Sequence, residues 1–169
     1  MPAGRPTDYT PALGGVTARD LASVRHKWNG VSELKWCRFA MEHQRDWVAV
    51  TGKGPFDRFD YEVTIGEKMR RRVAGIPRLD AVGWRGDRAT IIEVKTHVSA
   101  SSAMQGVGQL LYYKQAAKSI MGWDIEELIL FTPSWPLFLI DTVRNEGLPV
   151  TLVMATPEEF YCSRYEGKQ

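Results

Sequence analysis

The fold of this 169-residue chain is decided by residues 78–95, which read RLDAVGWRGDRATIIEVK. Two mainly apolar runs, residues 78–84 and 89–96, make up most of this stretch, and the second is rich in β-branched side chains. Between the runs lies a short polar turn that contains Gly86 and Asp87. Because apolar runs joined by a short turn with glycine and aspartate are typical of antiparallel strand pairs, the stretch predicts a β-hairpin.

Each predicted strand carries an acid among apolar neighbours, Asp80 on the first and Glu93 on the second. Lys95 follows Glu93 by two residues, and residues i and i+2 of a strand share a face, so these two side chains point the same way. Charged groups on half-buried strands cost free energy unless they are paired or bind something. Mg²⁺ prefers carboxylate oxygens and keeps waters and substrate phosphates as its other ligands. The pattern therefore predicts a Mg²⁺ site at Asp80 and Glu93.

A purely structural interpretation of the same residues is an ion pair between Glu93 and Lys95 on an exposed face, with Asp80 as a turn acid. Ile91 and Ile92 argue against full exposure of that strand, because large apolar side chains favour burial.

A helix is predicted over residues 101–120, after the hairpin. Gln109 and Tyr113 are four residues apart and hence lie on one face of this helix. Gly106 and Gly108 are poor helix formers, and we expect them to allow a close approach to the sheet or to a nucleic acid. In a purely structural interpretation, Gln109 is exposed to solvent, and Tyr113 packs in the core with only its hydroxyl in contact with water.

The motif set of the PD-(D/E)xK nuclease superfamily resembles this order of residues: Asp80, Glu93-Val94-Lys95, Gln109 and Tyr113. The helical pair is similar to the Gln-x-x-x-Tyr element of the exonuclease-like and Cas4-like branches. The sequence departs from the family name at Leu79, which stands where the name has proline. The resemblance implies a restriction-endonuclease-like fold and an enzyme that hydrolyses phosphodiester bonds.

The resemblance also implies roles for the individual residues. Asp80, Glu93 and the backbone carbonyl of Val94 would hold Mg²⁺, with Mn²⁺ as a substitute. Lys95 would orient or help deprotonate the attacking water and would stabilise charge in the transition state. The helical glutamine and tyrosine would contact the attacking water or the phosphate backbone. No small-molecule cofactor is implied.

Glu33 is a further candidate for the metal site. The segment Gly30-Val-Ser-Glu33-Leu resembles the start of the first helix in archaeal junction resolvases, where a glutamate joins the metal site. The alternative is a structural role, because an acid in the first turn of a helix is favoured by the helix dipole.

Basic residues cluster before and after the first strand of the predicted hairpin, although the net charge of the whole chain is only +2. Such a patch is the electrostatic footprint expected beside a phosphate backbone. The alternative is a solvated face or an edge strand that the charges protect against aggregation. The residues predicted to contact nucleic acid are Arg70, Arg71, Arg72, Arg78, Arg85 and Arg88.

The order of predicted elements indicates an α/β fold with a mixed β-sheet flanked by helices. Further strands are predicted over residues 47–51, 56–65, 127–131 and 150–154, and further helices over residues 17–27, 31–44 and 136–145 and from Thr156 onward. Ser101 or Ser102 is the predicted cap of the helix after the hairpin. Residues 1–15, rich in proline and glycine, predict a flexible N-terminal arm, and residues 16–169 predict one nuclease-like domain.

Composition excludes several classes of protein. Hydrophobic residues make up 44% of the chain and charged residues 25%, which is ordinary for a globular domain. No apolar run approaches the ~20 residues of a membrane span, and the N-terminus lacks a signal-peptide core, so a cytoplasmic protein is expected. Two cysteines do not make a disulfide framework, and the three histidines lack zinc-ligand spacing. Two cysteines are also too few for the four-cysteine iron–sulfur cluster of Cas4-like enzymes.

The sequence therefore predicts a metal-dependent DNA endonuclease, which would act as a homodimer if it cuts both strands. The first residues resemble those of some phage terminase small subunits, which suggests a phage or prophage origin. Two alternatives remain open at this point. One is a catalytically inactive nuclease-fold module that binds DNA or protein, and the other is a non-nucleolytic interaction protein.

Overall fold

The structure, a computed structural model, describes residues 55–66, 77–95, 99–132, 136, 138–155 and 160–163. The strands are β1 (Arg58–Thr64), β2 (Arg78–Arg85), β3 (Arg88–Val94), β4 (Asp124–Thr132), β5 (Thr151–Ala155) and β6 (Phe160–Ser163). The helices are α1 (Ala100–Ala116), which continues into a π-helical turn at Ala117–Met121, and α2 (Leu139–Asn145). None of the helices described has the length and apolar character needed to cross a membrane.

The six strands form one sheet in the order β1-β2-β3-β4-β5-β6. The pairs β1–β2, β2–β3 and β5–β6 are antiparallel, whereas β3–β4 and β4–β5 are parallel. Parallel neighbours need a crossover connection, and α1 and α2 lie in the two segments that link β3 to β4 and β4 to β5. The predicted α/β class with a mixed sheet and helices is confirmed.

The β2–β3 hairpin forms as the sequence predicts. Arg85 pairs with Arg88 across a two-residue turn of Gly86 and Asp87. Gly86 has a φ of +60°, a conformation that glycine adopts without a Cβ penalty and that the first position of a type II′ turn requires. The Gly86 N–H also donates to the Asp57 Oδ2 at 2.6 Å, which ties the turn to the start of β1.

Helix α1 packs over one face of the central strands. Its buried side chains include Val107 and Leu110, which belong to one core cluster with Val82, Ile91 and Leu130 of the sheet. The central strands are also buried on their other face, as is usual for strands in the middle of a mixed sheet. Residues that lie on that face with almost no exposure are Ile92, Val94, Ile129 and Phe131.

Some predicted boundaries need correction. The Ser99 hydroxyl, and not that of Ser101 or Ser102, caps α1 by accepting a bond from the Ser102 N–H at 3.1 Å. Strand β4 begins at Asp124, because its polar first residues make cross-strand ion pairs that the sequence pattern does not reveal. Near the predicted terminal helix, the structure has instead the strand β6, which pairs with β5.

Several predictions fall on residues outside the described ranges. These are the N-terminal arm, the helices over residues 17–27 and 31–44, the strand over residues 47–51, and the site candidates Glu33, Arg70, Arg71 and Arg72.

Candidate functional site

The two predicted metal-binding acids lie at the same end of the β2–β3 hairpin. The register ends with the pair Ala81–Ile92, and Asp80 and Glu93 are the next residue of each strand beyond it. Alternate residues of a strand share a face, so Asp80 shares its face with Val82 and Glu93 shares its face with Ile91, the partner of Val82. Asp80 and Glu93 therefore lie on the face of the sheet that α1 covers.

The end of the hairpin is held by the Asp80 side chain and not by a backbone ladder bond. The Val94 N–H donates to the Asp80 Oδ2 at 2.8 Å. The N–H and C=O of one strand residue point to the same side, so the Val94 carbonyl faces the same gap between β2 and β3. The two carboxylates and this carbonyl thus belong to the same end of the hairpin.

Glu93 and Lys95 form a buried ion pair. The Lys95 Nζ lies 2.7 Å from the Glu93 Oε1, and the two side chains are 11% and 3% exposed. The predicted shared face is thereby confirmed, but the exposed ion pair of the structural alternative does not fit this burial. Burying two charges carries a desolvation penalty that a hydrophobic pair would avoid. Charged side chains are rarely buried in a core, so this pair is a candidate functional site.

The donor set suits a hard divalent cation that keeps part of its hydration shell. Within the described ranges, no three His, Cys, Asp or Glu side chains lie together where they could hold a metal ion. Mg²⁺ does not require such a cage, because one or two carboxylates plus water and substrate phosphates satisfy it. Asp80, Glu93 and the Val94 carbonyl fit that requirement as all-oxygen ligands.

Gly106 brings α1 into contact with the aliphatic stem of Lys95. A Cβ on Gly106 would lie 2.6 Å from the Leu130 Cδ1 and 3.2 Å from the Lys95 Cγ, which leaves no room for a larger residue. The expected close approach to the sheet is confirmed for Gly106. By contrast, Gly108 has nothing within 4 Å of an added Cβ. Helix packing over Gly106 therefore holds the lysine against the sheet.

The two glycines give a matched pair of variants. Gly106→Ala is expected to be about 1–3 kcal/mol less stable than Gly108→Ala, because both gain the same helix propensity and only Gly106→Ala overpacks the core. Urea unfolding of the two variants measures this difference. Equal stabilities would show that the sheet yields to the extra methyl group and that Gly106 does not fix the lysine.

Gln109 and Tyr113 lie on the same face of α1, as predicted. The Gln109 Nε2 donates to the Tyr113 hydroxyl at 3.1 Å. Tyr113 is 8% exposed and belongs to the core cluster, whereas Gln109 is half-buried. The buried Gln109 Oε1 has no hydrogen-bond partner within the part of the chain that the structure describes. This pair joins the helix to the covered face of the sheet, and its predicted contact with water or phosphate stays a prediction.

Arg85 and Arg88 lie at the turn end of the hairpin, about 17 Å along β2 from Asp80. The Arg85 Nη1 lies 3.1 Å from the Glu126 Oε2, and the Arg85 guanidinium stacks on the Phe56 ring at 4.0 Å. The Arg88 Nη1 lies 3.4 Å from the Glu126 Oε1. The structure thus separates these two arginines from the acids and lysine, and it pairs both with an acid.

Arg78 is the described arginine at the same end of the hairpin as the acids. It precedes Asp80 by two residues on β2 and forms an ion pair with Glu62 of β1. Its side chain is 62% exposed, so this pair is a weak surface interaction. Glu62 itself lies between Tyr61 and Val63, which pair with Ala81 and Leu79 of β2, and it has a φ of +49°. The local sequence pattern does not reveal its contact with Arg78, because only strand pairing brings β1 beside β2.

The sequence matches no protein-family model, and no curated protein matches it. Among solved structures, the chain is similar to the small subunit of the heterodimeric restriction endonuclease R.BspD6I. The identity is 9% and the TM-score 0.45, and the match covers 82% of this chain and 72% of that chain. The chain is also similar to an fdxN element excision controlling factor protein from Anabaena variabilis. There the identity is 16% and the TM-score 0.37, with 63% of this chain and 88% of that chain covered. At these identities neither neighbour assigns a role to any residue of this chain.

Proposed function

We propose that the chain is a metal-dependent deoxyribonuclease of the PD-(D/E)xK type that cuts within DNA. One observation carries the proposal, which is the convergence of Asp80, Glu93 and Lys95 on one covered face at the end of the β2–β3 hairpin. This is the residue set, on the predicted elements, that the sequence resemblance implies. The adjoining helix brings Gln109 and Tyr113 to the same face of the sheet.

Hydrolysis of a phosphodiester needs an activated water, neutralised phosphate charge and a stabilised leaving oxygen. Asp80, Glu93 and the Val94 carbonyl would hold Mg²⁺, which supplies Lewis acidity and a lowered pKa of its bound water. The Asp80 carboxylate also fixes the backbone of Val94 through the bond from its N–H, so one side chain sets the position of two ligands.

Lys95 donates hydrogen bonds from a fixed place. Its ammonium group contacts Glu93 and its stem packs beside Gly106, so the charge is held without reorganisation. A preorganised positive charge stabilises the negative charge that develops on the phosphate oxygens in the transition state. Its three N–H donors also suit the orientation of an attacking water.

The proposed substrate is DNA, and the arginines differ in how they would contact it. Arg78 is exposed and close to the acids, so we propose that it contacts a phosphate near the cleaved bond. Arg85 and Arg88 would contact phosphates only by exchanging their ion pairs with Glu126. A symmetric dimer places one active site on each strand of a duplex, so we propose that the protein acts on duplex DNA as a homodimer.

The proposal is tested by cleavage of supercoiled plasmid, linear duplex, single-stranded and four-way-junction DNA, each with Mg²⁺, Mn²⁺ or EDTA. We expect cutting with either metal and none with EDTA, and nicking of the closed plasmid identifies an endonuclease. Absence of cutting on every substrate contradicts the proposal. If the protein then binds DNA in a gel-shift assay, it is the inactive nuclease-fold module, and failure to bind leaves the non-nucleolytic interaction protein.

A further inference from the structure

Thr132 lies at the end of β4, one strand away from Lys95. The β3–β4 register pairs Val94 with Phe131, so the next position pairs Lys95 with Thr132. The register holds that far, because the Lys95 N–H donates to the Phe131 carbonyl at 3.0 Å. Paired residues of neighbouring strands point to the same face of the sheet. The Thr132 side chain therefore lies beside that of Lys95, on the face that α1 covers.

The hydroxyl of Thr132 is buried without a partner. The residue is 2% exposed, and its Oγ1 makes no hydrogen bond among the residues that the structure describes. A buried hydroxyl without a partner destabilises the fold relative to an apolar group of the same shape. Valine has that shape and suits a buried strand better. The unpartnered hydroxyl and the Lys95 side chain thus occupy neighbouring positions on the covered face, where a ligand between them would satisfy the hydroxyl.

We propose that Thr132 is a positioning residue, whose hydroxyl and the Lys95 ammonium together hold one water molecule in the site. The inference rests on the proposed function, because the held water is the one that Lys95 orients for attack. A water suits this place chemically, since it accepts from the ammonium and donates to the threonine oxygen. Thr132 acts through this water and through Lys95.

Thr90 provides a matched control. It is also fully buried, and its Oγ1 likewise has no partner within the described ranges. It precedes Lys95 by five residues in an extended segment, so its side chain lies on the opposite face of the sheet. Replacing either threonine by valine removes a hydroxyl group that is buried in the sheet and has no hydrogen-bond partner within the described ranges. Only Thr132→Val removes it from the face that carries the site.

The experiment compares the native chain with Thr132→Val, Thr132→Ser and Thr90→Val. The readouts are kcat and KM for DNA cleavage and the midpoint of thermal unfolding. We expect Thr132→Val to lower kcat roughly tenfold or more at unchanged KM, and Thr132→Ser to keep most of the native rate. Thr90→Val is expected to keep the native rate. Both valine variants are expected to melt at or above the native temperature, which separates a loss of rate from a loss of folding.

Three kinetic outcomes overturn the inference: Thr132→Val cuts as fast as the native chain, serine restores no rate, or Thr90→Val loses as much. If the native chain cuts no DNA, the proposed function fails. Crystal structures of the native chain and of Thr132→Val then test separately whether Thr132 and Lys95 hold a water molecule. An ordered water that touches the Thr132 Oγ1 and the Lys95 Nζ, and that is missing from the variant, supports the inference. No water at that place in the native crystal overturns it.

Discussion

Replacing Lys95 by methionine is expected to lower metal-dependent DNA cleavage about a thousandfold, in kcat more than in KM. Methionine keeps an unbranched apolar stem against Gly106 and removes the ammonium group that Glu93 holds at 2.7 Å. The variant loses both the stabilisation of phosphate charge and the orientation of the attacking water. Each of these effects contributes a factor of about 10²–10³ to the rate in comparable enzymes. Single-turnover cleavage of a labelled duplex measures the rate, and a gel-shift assay measures DNA binding.

The control for this variant is Lys118→Met. Lys118 lies on the exposed π-helical turn after α1 and away from the acids, so its charge is expected to leave the cleavage rate within about twofold of native. A Lys95→Met protein that cuts at a near-native rate would remove Lys95 from the mechanism. A variant that neither cuts nor binds DNA would instead indicate lost structure, which circular dichroism detects.

The second large effect is on stability and needs no substrate. In EDTA, Lys95→Met is expected to destabilise the fold by about 3–5 kcal/mol, because it leaves the Glu93 carboxylate buried without its cation. Glu93→Gln is expected to destabilise it similarly by leaving the ammonium unpaired. The double variant Glu93→Gln/Lys95→Met buries no charge, so its stability should return to within about 1–2 kcal/mol of native.

Urea unfolding of the four proteins measures this cycle at one pH. A double variant whose loss equals the sum of the two single losses would contradict a direct ion pair. The double variant lacks a proposed metal ligand as well as the ammonium group, so this cycle tests the ion pair and not the catalytic role of Lys95.

The local pattern of the sequence was sufficient for the central hairpin and for the pairs that it creates within one element. The predicted runs over residues 78–84 and 89–96 agree with β2 and β3 to within two residues at each end. A strand repeats its faces every two residues and a helix nearly every four. The Glu93–Lys95 pair and the Gln109–Tyr113 pair therefore follow from spacing alone, and the structure contains both.

The pattern was misleading where a segment depends on distant partners. Strand β4 begins with the polar residues Asp124 and Glu126, which no apolar period marks as a strand. Arg88 pairs with both of these acids, and Arg85 pairs with Glu126. The same contacts give the hairpin arginines a partner within the protein, and their predicted phosphate contacts stay a prediction. These ion pairs join residues about forty positions apart, and local propensity carries no information at that range.

The local sequence pattern was sufficient to predict the α/β class, the hairpin with its acids and lysine, and the helix with glutamine and tyrosine on one face. These features depend on turn chemistry and on the period of a strand or helix, which are local properties. Contacts between elements were visible only in the fold, where Asp80 accepts from the Val94 N–H, Gly106 packs on Lys95 and Thr132 lies beside Lys95. Strand register and helix packing set these neighbours, and both are fixed by the burial of side chains from distant segments.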